Sequence, residues 1–227
     1  MNALLIPLHH VSFDLSFCFN RRKVAALRTD GIFHSSSDSA DPPTLAFLDL
    51  EAVGSRRDMS VRISSCNRVN LPVDNLRWKH QQRLRPTKEI EDPYIAAVLI
   101  ALAQQRRCTQ SAGAKANGAI PEVHVEYISP TGPPPIPPRL PGDIEIGQQA
   151  VTDAKVHVLA LPATDERSLY FYTALIPSAF LNRLDRPSQW FSSSPVLISY
   201  YRIPLKPREK MIRAVNRALS AVRNKTP

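Results

Sequence analysis

Four residues in this chain have the types needed for metal-assisted phosphodiester chemistry. Glu122 follows Pro121, Glu126 lies four residues on, and Asp153-Ala154-Lys155 places a carboxylate and an amine two residues apart. Paired carboxylates hold Mg²⁺ through hard oxygen ligands, and a lysine beside the attacking water completes such a site. Glu122 or Glu126 with Asp153 and Lys155 are therefore the candidate catalytic set, weighed against ordinary solvated charges. The histidines at 9, 10, 34, 80, 124 and 157 do not cluster. His124 and His157 alternate with apolar neighbours in expected strands, which predicts that both face away from the core, on a sheet face they could share with Glu126 and Asp153. Cys18, Cys66 and Cys108 lie far apart, form no C-x-x-C pair and have no histidine at ligand spacing. Reduced thiols are expected, with neither a disulfide framework nor a structural zinc site. G-x-S-x-G, P-loop and G-x-G-x-x-G motifs are absent from the sequence, so no cofactor is expected.

Binding chemistry is better represented than catalytic chemistry. The net charge is +9, and it is segregated. From Arg183 to Pro227 there are ten basic against two acidic residues, and from Arg56 to Lys88 nine against two, so the remainder is net acidic. Such separation attracts polyanions or acidic proteins, although many basic faces are only solvated. Arg202, Lys206, Arg208, Lys210, Arg213 and Arg217 are the candidate binding residues, with nucleic acid or an acidic protein as partner. Tyr170, Phe171, Tyr172, Trp190, Phe191, Tyr200 and Tyr201 fall in or near the same region, and aromatics beside arginines can stack bases. Strand alternation assigns part of that set to the core instead. A separate motif, Pro134-Pro135-Ile136-Pro137-Pro138-Arg139, satisfies P-x-x-P-x-R. In polyproline II geometry Pro134 and Pro137 would enter an SH3-type groove while Arg139 meets its acidic rim; the plainer reading is a stiff loop.

These residues must be positioned by a core, and 43% hydrophobic residues are enough to form one. Seven glycines against 21 prolines predict stiff connections rather than flexible linkers. The first residues lack a basic region and are interrupted by Pro7, and the apolar run at 95–103 is too short to cross a bilayer. An intracellular protein of the cytoplasm or nucleus, with no membrane span, is the expectation.

Residues 11–20 alternate without a break and predict a strand, ended by Arg21-Arg22-Lys23. Leu45–Leu50 and Met59–Ile63 are candidate strands, residues 67–86 show no clean period, and 34–43 is a loop by composition. Asp92-Pro93 opens a helix that is apolar nearly all round and should be buried. Ser111–Ala119 is expected to be unstructured, and Val123–Tyr127 to be a strand. Residues 155–161 and 168–175 form the clearest hairpin, followed by a short helix from Pro177 and a strand at 195–203. A final amphipathic helix carries Met211, Ile212, Val215, Leu219 and Val222 on one stripe. The expected fold is α+β, a small mixed sheet packed by a buried helix and a C-terminal amphipathic helix. Residues 1–90 form an N-terminal β-containing extension, and 91–227 an α/β core with a proline-rich insertion at 111–152.

That element order, with Glu122, Asp153 and Lys155, weakly resembles the PD-(D/E)XK nuclease-like superfamily, which would imply an active or degenerate metal-dependent nuclease. The blocks Asp92–Gln104, Leu169–Leu181 and Ser199–Arg208 look like those of an uncharacterised family of filamentous-fungal proteins, over about residues 90–225. That resemblance implies a eukaryotic intracellular setting and brings no catalytic residues. The leading expectation is a non-enzymatic binding or accessory protein. The alternatives are the nuclease-like enzyme and an adaptor recruited through its proline-rich loop.

Overall fold

The computed structural model describes residues 14–33, 42–61, 71–116, 153–165 and 167–223. A two-stranded hairpin, β1 (Asp14–Phe19) and β2 (Arg22–Arg28), stands apart from a five-stranded sheet. The sheet contains β3 (Gly31–Phe33), β4 (Leu45–Asp49), β5 (Ala154–Leu161), β6 (Ser168–Ile176) and β7 (Leu197–Pro204) in that spatial order. Only β4 and β5 run parallel; their crossover contains α1 (Leu50–Ser60), α2 (Leu71–Leu84) and α3 (Pro93–Ala116). Helices α4 (Ser178–Asp185) and α5 (Arg208–Arg223) flank β7 in sequence. The fold is α+β, and residues 31–49 share one sheet with residues 154–204.

Both faces of the sheet are covered. On one, Val98, Leu99 and Leu102 of α3 meet Val156, Val158 and Tyr172. On the other, Ala218 of α5, flanked by Val215 and Leu219, closes over Leu45, Phe171 and Ile203. Burial on two sides explains why β5 reads as a nearly continuous apolar run, with only Lys155 and His157 interrupting it.

Several boundaries differ from the sequence expectation. The strand expected to stop at Arg21 instead turns back. Asn20 and Arg21 both have positive φ, 51° and 59°, giving the two-residue turn that suits antiparallel strand twist. Buried Gln104 of α3 then bonds both backbone groups of Cys18, at 3.0 and 2.8 Å, where the β1–β2 register slips. Met59 is not in a strand but in the last turn of α1, a helix started by Asp49, whose Oδ1 accepts from the Glu51 N–H. Residues 71–84 form α2 rather than irregular chain. Helix α3 extends through Ala116, so Ser111–Ala116 is helical; Ala112, Ala114 and Ala116 favour propagation. The expected strand at Val123–Tyr127 and the proline-rich stretch lie outside the described residues.

Candidate anion-binding face

Helix α5 is held to the sheet by one apolar stripe, which fixes where its bases point. Lys210, Arg213 and Arg217 are spaced i, i+3 and i+7, so they share a single face, and all three are exposed. None of the three forms an ion pair among the described residues. Arg217 lies close enough to Tyr201 to oppose the upward shift that burial gives that phenol. Ala218, next to Arg217, packs with Ile203 of β7, so the Arg217 end of the basic face borders that strand. Lys206 and Arg208 are exposed at the entrance to α5. Arg202 differs from the other five, because its guanidinium bonds Asp165 at 2.8 Å and Ser168 Oγ at 2.5 Å.

The other basic segment is arranged differently. Arg57 pairs with buried Asp92, Arg85 with Asp58, Lys88 with Glu91, and Arg56 lies 3.9 Å from Asp30. Two of these pairs join elements, Arg57–Asp92 linking α1 to the start of α3 and Arg85–Asp58 linking the end of α2 to α1, while Lys79 and Arg83 of α2 are exposed and form no ion pair among the described residues. An arginine already matched to a carboxylate is a weaker anion receptor than one facing water.

Edge strand β7 adds aromatic surface beside the basic face. Its first six residues are all exposed, and Tyr200 and Tyr201 point to opposite faces of the sheet. Tyr201 packs on Phe171 and Tyr200 on Tyr172, with centroids 5.4 Å apart in each pair. Trp190, before the strand, is 83% exposed and carries Arg183 over its ring at 5.4 Å. Beside Tyr200 opens a mostly apolar cleft of about 200 Å³, lined by Ile90, Ile95, Tyr172 and Ile198 among others. Tyr172 donates from its hydroxyl to the Ile90 carbonyl at 2.7 Å, and burial raises its pKa, so it remains a neutral donor.

Of the candidate catalytic residues, Glu122 and Glu126 lie outside the described residues, as do Pro134, Pro137 and Arg139. Asp153 precedes β5, and its Oδ1 accepts from the Ser178 N–H at 3.1 Å, at the start of α4. The half-buried Lys155 is in β5, and its carbonyl accepts from Arg106 at 3.0 Å. Among the described residues no group of three or more His, Cys, Asp or Glu side chains is placed to hold a metal ion.

His157 is not at the surface, contrary to the alternation argument. It is 1% exposed, stacks on Phe171 and shares a 3.1 Å hydrogen bond with Thr173 Oγ1. Alternation identifies two faces of a strand but does not say that one faces water, and here both are covered. Burial, then the charges of Lys155 and Arg106, lower its pKa to about 4, so it is neutral near pH 7.

No helix of the described residues is long and apolar enough to cross a membrane. Compared with protein-family models, curated proteins and solved structures, the chain finds no match.

Proposed function

We propose that this chain is a non-enzymatic binding protein whose α5 face receives an acidic ligand. The observation that carries this reading is the exposed row Lys210, Arg213 and Arg217, without ion-pair partners among the described residues and beside the aromatic edge strand β7. Three like charges along one helix face repel one another, and a bound polyanion relieves that repulsion. Lys206 and Arg208 extend the field towards the loop before α5. A setting in the cytoplasm or nucleus agrees with such a role.

The nuclease-like alternative has less support, since Asp153 is engaged at the start of α4. The test is a salt series with labelled polyglutamate and labelled single-stranded RNA, on the wild type and on the Arg213→Glu/Arg217→Glu variant. Wild-type affinity should fall steeply between roughly 50 and 200 mM salt, and the variant should lose at least about tenfold at the lower value. Equal binding by both proteins would remove α5 from the function, and absence of binding to either polymer at low salt would end the reading.

A further inference from the structure

The backbone of β7 offers a second recognition element beside the basic helix. Leu205 N–H donates to the Arg167 carbonyl at 2.8 Å, continuing the register that pairs Ser168 with Pro204. Antiparallel pairing alternates from there. Leu197, Ser199, Tyr201 and Ile203 direct their backbone groups towards β6, whereas Ile198, Tyr200, Arg202 and Pro204 direct theirs outward. Pro204 occupies one of these outward positions, where its missing N–H costs no ladder bond, as expected at a sheet edge. The N–H groups of Ile198, Tyr200 and Arg202 point away from the sheet, and among the described residues no strand follows β7 in the sheet. Exposed edges are ordinarily blunted by charge, proline or a bulge, but Leu197 to Tyr201 contains none of these.

The two sides of this edge differ in chemistry. Ile198 and Tyr200 face the α3 side and line the apolar cleft. Tyr201 faces the α5 side with Ile203, which packs in one cluster with Ala218, the residue after Arg217. A strand laid along β7 would place alternate side chains on these two sides. We propose that β7 accepts an extended acidic segment of a partner protein as a sixth strand, with apolar side chains towards the cleft and carboxylates towards Arg213 and Arg217. This rests on the reading of α5 as an anion-binding face and names the form its ligand takes. Charge selects this occupant over a second copy of the chain: two β7 strands paired about a twofold axis through the sheet would bring two rows of Lys210, Arg213 and Arg217 together. Nucleic acid satisfies the basic face but cannot pair with the outward N–H groups as a strand does.

The probe is a labelled peptide of alternating valine and glutamate, about ten residues long, compared with a peptide of the same composition in two blocks. Binding is read by fluorescence anisotropy, and amide hydrogen exchange is followed at Ile198, Tyr200 and Arg202. The alternating peptide should bind about tenfold more tightly and slow exchange at those three amides. Ile198→Pro, which removes one outward donor, should weaken it about fivefold beyond the loss in Ile198→Ala, which removes only the side chain. N-methylation of the peptide at the bonding positions should produce the same loss without altering the protein, so a variant that fails to fold leaves the test intact. Equal binding of both peptides with unchanged exchange overturns strand addition while leaving the anion-binding reading standing. Failure of both peptides and of polyglutamate overturns the two together. Protection already present in the free protein also overturns it: dependence on protein concentration would mean a second copy, and independence a segment of the chain itself. Tighter binding of single-stranded RNA than of the alternating peptide, with no effect of Ile198→Pro, would assign the face to nucleic acid instead.

Discussion

His157 shows how much a single buried ring contributes to pH behaviour. Its folded-state pKa, about 4, lies below the value near 6.5 that it recovers on unfolding. Below that upper value the unfolded chain binds a proton that the folded one does not, so stability falls as pH drops, and the loss levels off once pH passes the folded pKa. The full effect corresponds to at most about 3 kcal/mol between pH 7 and 4. His157→Gln retains a partner for Thr173 and lacks this titration. Urea unfolding midpoints at pH 7 and pH 4.5 should therefore differ less in the variant than in the wild type. An identical difference in both proteins would show that another group carries the acid sensitivity. The same residue marks a limit of sequence reasoning. Its polar-apolar alternation with Val156 and Val158 is correct for a strand, but only the position of α5 reveals that the polar side is covered too.

At the scale of elements, the sequence was legible wherever apolar spacing alone determines packing. The β5–β6 hairpin, the buried α3 and the amphipathic α5 follow from periodicity and from the Asp92-Pro93 start signal, and the short α4 from the proline that opens it at 177. Helix α2 does not, because it buries no residue. It is held by polar contacts: Gln81 donates to the Asp58 carbonyl at 3.1 Å and Arg85 meets the Asp58 carboxylate at 2.7 Å. Such docking leaves no hydrophobic period to read. The turn at Asn20-Arg21 was hidden for a different reason, since arginine is an unusual residue at φ 59° and the familiar Asn-Gly signal is missing. The junction of α1 with α3 is similarly a matter of charge. Arg57 reaches Asp92 at 2.7 and 2.5 Å, and Asp92 Oδ1 also accepts from the Tyr94 N–H at 2.9 Å. The Asp92 side chain is 3% exposed, so removing its partner strands a buried charge. Arg57→Ala should cost about 3 kcal/mol, and Asp92→Ala a further loss of about 1 kcal/mol from the uncapped helix. Denaturant unfolding measures both, and changes within about 0.5 kcal/mol of wild type would mean that water already reaches the pair.

For the whole molecule, the basic segments were legible in composition, but their different roles were not. Nothing in the spacing of Arg56, Arg57 and Arg85 shows that each has a carboxylate nearby in space, because Asp30, Asp92 and Asp58 are brought there by the fold; only Lys88 and Glu91 are already neighbours in sequence. The row on α5 keeps its charge open while the rest of the sequence outside the two basic segments is net acidic. A molecule with that separation should orient an approaching polyanion before contact, and such steering acts on the rate of association rather than on the lifetime of the complex. Stopped-flow binding of labelled polyglutamate should therefore show an association rate that falls about tenfold from roughly 50 to 300 mM salt, with dissociation changing much less. Replacing Lys210, outside the Arg213–Arg217 pair, with glutamine should reduce that salt dependence without abolishing binding. A salt effect confined to dissociation would mean that short-range pairing with Arg213 and Arg217 dominates and that the long-range field plays no part in finding the ligand.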